Sequence, residues 1–180
     1  MSKEIPILFD GDMVRAILGG DKTQTRRPGK FVPNTNEVLL KKSPFGKAGD
    51  VLWVRETFCE GYTDGGGDAA IYYKASDGDG RFKERISARC GSSNPVNPKW
   101  TPSIHMPKWA CRTKLRVKRV WIERVQEMDD RQGGKEGMMY YSGMTKYCDS
   151  CRMMFQHYWD NIYGTWSENP WVWACEFEVI

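Results

Sequence analysis

The run Val51-Leu52-Trp53-Val54-Arg55-Glu56-Thr57-Phe58, launched from the turn dipeptide Gly49-Asp50, limits the choice of fold more than any other stretch of this chain. β-Branched and aromatic residues dominate it, the composition of a pleated core strand. Alternation sends Val51, Trp53, Arg55 and Thr57 to one face and Leu52, Val54, Glu56 and Phe58 to the other. Arg55 and Glu56 thus interrupt the apolar pattern once on each face, either as paired charges at an exposed strand end or as groups aimed into a cleft. Residues 111–125 repeat the two-residue period, with Leu115 and Val117 set against Arg112, Lys114, Arg116 and Lys118, so one side of that strand is basic. Its cations serve either solubility or a phosphate backbone. Trp171, Trp173, Cys175, Phe177 and Val179 line one face of a further strand, and residues 70–75 read as a shorter one.

Two helices stand out. Met13, Val14, Ile17 and Leu18 make one amphipathic turn after another, capped by Asp10 or Asp12 and stopped by Gly19-Gly20. Phe155, Tyr158, Trp159 and Ile162 fall at helical spacing, and Gly164 ends that segment. A short helix can begin at Asp129-Asp130, though Gly133-Gly134 costs it about 1 kcal/mol per glycine. Residues 28–47 read as loop with a short strand at 37–40, and residues 77–107 as a long irregular segment with a short helix at 81–89. Several strands, few helices and no βαβ rhythm predict an α+β fold built on a small mixed barrel.

The 180 residues fit a single domain, residues 1–180, with a loop-rich insertion at about 59–107. Net charge is +4, compatible with nucleic acid without requiring it. There are six cysteines, no apolar leader and no apolar run of the ~18 residues a membrane span needs, so free thiols in a reducing cytoplasm are expected. Cys148-x-x-Cys151 is one pair where a structural zinc site wants four ligands, so no metal is expected.

Chemistry concentrates in Gly19-Gly20-Asp21-Lys22-Thr23-Gln24-Thr25-Arg26-Arg27. Cations and hydroxyls packed this closely suit an anion, above all phosphate, unless the segment is simply a solvated basic turn. Two histidines and no GxSxG motif argue against a Ser-His-Asp hydrolase. A base here is more naturally Lys22, its pKa lowered by burial or by Arg26 and Arg27, with Thr25 within reach of a modest turn. Glu136 supplies a proton donor if the short helix before it packs against this cluster.

The Lys22–Arg27 block followed by Gly49-Asp50-Val51-Leu52-Trp53-Val54-Arg55-Glu56-Thr57 resembles the ASCH family. Pro102-Ser103-Ile104-His105-Met106-Pro107-Lys108-Trp109-Ala110 and Asn169-Pro170-Trp171-Val172-Trp173 are similar to its long, phage-borne form. The resemblance implies a PUA-like β-barrel related to RNA-binding modules, in the host cytoplasm. One branch of the family hydrolyses N4-acetylcytidine to cytidine and acetate. Carried over by motif, Lys22 is its proton acceptor, Thr25 its nucleophile and Glu136 its proton donor, with no cofactor. Arg26, Arg27, Trp53, Arg55, Glu56, Ser103 and His105 are then expected to contact RNA or a modified nucleoside. A non-catalytic RNA-binding module, a ribonuclease and a binder of host protein are the alternatives. Gly133-Gly134, where good helix formers are expected, predicts a loosely held Glu136.

Overall fold

A computed structural model of the chain describes residues 2–29, 43–62, 69–76, 99–140 and 150–180. Strands β1 (Glu4–Leu8), β2 (Gln24–Pro28), β3 (Val51–Arg55), β6 (Lys114–Arg124) and β7 (Trp171–Val179) form a five-stranded sheet in the order β1-β3-β6-β7-β2. Only β1 and β3 run parallel; β3 with β6, β6 with β7 and β7 with β2 are antiparallel. A second sheet pairs β4 (Phe58–Tyr62) with β5 (Ala69–Tyr73). The helices are α1 (Gly11–Gly19), α2 (Asp130–Lys135) and α3 (Cys151–Tyr163). Among the described residues none is long and apolar enough to cross a membrane. The fold is α+β. Within those residues no ladder joins β1 to β2.

The expected 51–58 strand is two strands. Its alternation persists, with Leu52, Val54, Glu56 and Phe58 buried, but the chain changes sheets at Glu56-Thr57. In β6 the register shifts between Val117 and Arg119, so Leu115 and Val117 are buried while Arg116, Lys118 and Arg119 are all exposed. The strand expected at 37–40 and the helix expected at 81–89 lie outside the described residues.

One core joins Met13, Val14 and Ile17 of α1 and Phe155 and Trp159 of α3 to Leu52, Val54, Leu115, Val117 and Phe177 of the sheet. Asp10 caps α1 through a 2.8 Å bond from the Met13 amide, and Ser150 caps α3. Ile162, at helical spacing with that core, is instead 49% exposed, and Tyr163 takes the core-facing place in the last turn of α3.

Asp50 anchors the entry to β3. Buried, it accepts the amides of Lys3 at 2.9 Å and Lys47 at 3.0 Å, and these bonds hold its carboxyl below the usual carboxylate range. A depressed folded pKa contributes stability that is complete above the unfolded value of about 3.9 and is lost as pH falls through the depressed one. Asp50→Asn is therefore expected to lower the urea midpoint at neutral pH and to flatten its decline in acid. Parallel acid profiles for the two proteins would refute the assignment.

Candidate functional site

The segment after α1 turns at Gly20 and runs along the edge of the sheet into β2. There it meets the end of α2. Lys22 and Glu136 pair in an isolated antiparallel bridge, and the Thr23 amide donates to the Lys135 carbonyl at 2.8 Å. Two glycines permit this approach. A Cβ on Gly137, whose φ is 83°, would lie 3.0 Å from Lys22 Cβ and 2.8 Å from Ala16 Cβ. A Cβ on Gly133 would lie 2.7 Å from the backbone of Cys151 at the start of α3. Gly133 is therefore a close-packing contact between α2 and α3, and α2 forms with Asp129 as its cap. Glu136 is 2% exposed and held from two sides, not loosely.

Lys22 Nζ donates to Glu136 Oε2 at 2.8 Å and to the Glu136 carbonyl at 2.7 Å. Arg26 Nη1 donates to Glu136 Oε1 at 2.8 Å, and Arg26 Nε to Glu123 Oε1 at 2.6 Å. The other oxygen of Glu123 accepts from Trp121 Nε1 at 2.6 Å. Among the described residues, Arg26 Nη2 is buried without an acceptor. Burial pushes the Lys22 ammonium below its usual pKa; Glu136 opposes that shift without reversing it, and Arg27 adds to it. Burial also disfavours the Arg26 charge, but Glu136 and Glu123 outweigh it and raise its pKa.

Thr25 lies on the adjacent strand position, where alternation turns its side chain with Arg27 away from that of Arg26. Its hydroxyl is fully buried and accepts from Arg27 Nη1 at 3.2 Å. Arg27 Nη2 reaches the Leu8 carbonyl at 2.9 Å, so this one guanidinium spans from β2 to β1. The Phe9 ring stands between the two cations, 5.5 Å from Lys22 Nζ and 5.4 Å from the Arg27 guanidinium. Beside them Tyr158 donates to Asp10 at 3.0 Å; burial, with Asp10 next, pushes its phenol pKa up. Asp10 also lines a cleft of about 410 Å³ with Gly11, Asp12, Arg15, Glu56, Thr57, Lys74 and Ala75.

No family model matches this chain, and no curated protein matches it. Among solved structures, protein EF3133 from Enterococcus faecalis V583, described with the family model DUF984, is similar to it. That likeness covers 100% of this chain and 81% of the other, at 9% identity and a TM-score of 0.47. At that distance, family and function rest on the residues of this chain.

The residues expected to form one site occupy three places. Lys22, Thr25, Arg26, Arg27 and Glu136 meet at the buried centre. Glu56 lies in the wall of the cleft, where Arg112 grips both carboxylate oxygens at 2.8 and 2.7 Å. Trp53, Arg55, Ser103 and His105 lie elsewhere: Trp53 and Arg55 point away from the core, and Arg55 donates to the carbonyls of Ile104 and Met106. Glu123, Trp121, Asp10 and Tyr158 were not anticipated as neighbours of the centre. Glu123 carried a signal, an acid within a basic strand; Tyr158 was indistinguishable from a core aromatic.

Of the cysteine pair considered for zinc, Cys148 lies outside the described residues. Cys151 is half-buried, with its Sγ 3.9 Å from Met139 Sδ, and burial raises its thiol pKa.

Proposed function

We propose that this chain is an ASCH-type, PUA-like protein that binds a modified nucleoside, alone or in RNA, and hydrolyses the acetamide of N4-acetylcytidine. One observation carries the reading: a lysine and a glutamate 114 positions apart meet at 2.8 Å in a buried site, and the buried Thr25 follows that lysine three positions along the chain. Hydrogen-bonded ion pairs so far from solvent are uncommon and cluster where chemistry is done.

The pair supplies both proton roles. Transfer of one proton from Lys22 Nζ to Glu136 Oε2 along the existing bond yields a neutral amine and a neutral acid. The lowered pKa of Lys22 favours that direction. The amine takes the Thr25 proton as Thr25 Oγ attacks the acetamide carbonyl carbon. The tetrahedral adduct expels N4 of cytosine, which takes a proton from Glu136, and leaves Thr25 acetylated. Water then hydrolyses the ester, releasing acetate and restoring the Thr25 hydroxyl. Substrate reaches Thr25 when Arg27 leaves its hydroxyl. In the present conformation the guanidinium seals it.

That seal favours a second reading, a non-catalytic module in which Arg27 and Lys22 hold a phosphate or base and Thr25 is structural. Incubating the purified protein with N4-acetylcytidine and resolving cytidine by chromatography separates the two. Cytidine in proportion to enzyme is the expected result. Its absence at high enzyme concentration removes the hydrolase and favours the binding module.

A further inference from the structure

Residues 103–110 form two one-turn 3-10 helices, Ser103–His105 and Lys108–Ala110, which make a firmly seated ledge. Beneath it Met106 and Ala110 are buried against Phe58, and Tyr73 donates to the Ala110 carbonyl at 2.8 Å. Arg55 Nε donates to the Met106 carbonyl at 3.1 Å, and Lys108 pairs with Glu4 of β1. Above it the side chains are left open. Trp109 is 67% exposed and Ile104 59%. A tryptophan so exposed on so well anchored a turn is an unfilled contact surface, not a packing residue.

The surroundings say what fits it. Arg55, His105, Lys108 and Lys114 flank the ledge, and among the described residues Lys108 and Lys114 share the carboxylate of Glu4. Among the described residues the acceptors of Arg55 are neutral carbonyls, so its charge is not cancelled there, and its guanidinium lies 5.4 Å over the Trp53 ring. Exposed aromatic faces set among arginine and lysine suit unpaired bases on an anionic backbone. A protein partner would ask for a more continuous apolar patch than Ile104 and Trp109 interrupted by His105 and Lys108. A short chain of contacts links the ledge to the buried centre. Ile104 is bound by Arg55, Arg55 is in register with Leu8 of β1, and the Leu8 carbonyl is bound by Arg27.

We infer that this ledge is a stacking platform for single-stranded nucleic acid, with Trp109 as its base-stacking residue, and that the nucleoside is presented to the centre within an RNA strand. The inference rests on the nucleoside reading above and adds the form in which the substrate arrives. The test is fluorescence anisotropy with a short labelled oligouridine, run beside turnover of free N4-acetylcytidine. Wild type is expected to bind, more weakly as salt rises. Trp109→Ala is expected to lose roughly tenfold in affinity while keeping its melting temperature and its turnover of the free nucleoside. Lys108→Glu is expected to weaken binding as well. If wild type does not bind oligouridine, or if Trp109→Ala binds equally well, the platform is refuted. Turnover of the free nucleoside would in that case still support the hydrolase reading. RNA binding that depends on Trp109 but comes without turnover would leave the platform standing and remove the hydrolase.

Discussion

Replacing Glu136 by Ala is expected to lower unfolding free energy by about 3–5 kcal/mol, read as a fall in urea midpoint at constant slope. Its carboxylate is the shared counter-charge of Lys22 and Arg26, which are as buried as it is. Without it Lys22 keeps no anion within hydrogen-bond reach among the described residues, while Arg26 keeps Glu123. Most of the loss should therefore be felt at Lys22. Adding Lys22→Met to Glu136→Ala is expected to recover more than ~1 kcal/mol, because a neutral chain of similar length needs no counter-charge. A Glu136→Ala protein as stable as wild type would mean that the pair is solvated and the buried centre is not as described.

The second large effect is expected at Glu56. Its carboxylate is 1% exposed and takes a bidentate grip from Arg112, whose third nitrogen donates to Ser76 Oγ at 2.8 Å. The guanidinium lies 4.1 Å over the Tyr73 ring, so one side chain ties the end of β3 to β5 and the turn after it. Burial pushes the Tyr73 phenol up to about 12, so that ring stays neutral beside the cation through the physiological range. Glu56→Ala is expected to cost about 3 kcal/mol, and Glu56→Gln distinctly less because it keeps an acceptor for Arg112. Thermal melts of the two variants decide it. Equal, small losses would show that the grip is dispensable and would free Glu56 for a ligand.

Glu56 also shows how far sequence alone reaches. Alternation put it on the inner face beside Leu52 and Val54, and it is there. Its partner, 56 positions on, is set by where β6 returns to the sheet, and no local pattern encodes that. The same holds at the centre. The Lys22–Arg27 block was legible as a cluster with chemistry, and the two-residue period correctly separates Thr25 from Arg26. Glu136 was legible only as a conditional candidate, because its contact with Lys22 spans 114 positions. Gly133 was misjudged for a related reason. Read locally it weakens a helix; in three dimensions its missing side chain lets α3 approach. The α+β class, the final strand and the helix caps followed from propensity and capping chemistry. The change of sheets after Arg55 did not, because an unbroken alternating run carries no mark of where its hydrogen-bond partners change.

The most direct test of the catalytic reading is turnover of N4-acetylcytidine by wild type, Lys22→Met and Thr25→Ala, each first shown by its melt to be folded. The account predicts cytidine and acetate from wild type and at least a hundredfold less from either variant. Thr25→Ala keeps the Lys22–Glu136 pair, so its loss of activity would belong to the hydroxyl. Wild-type turnover retained by Thr25→Ala would contradict the account: the buried hydroxyl would then be structural, and the pair would act on water or on nothing.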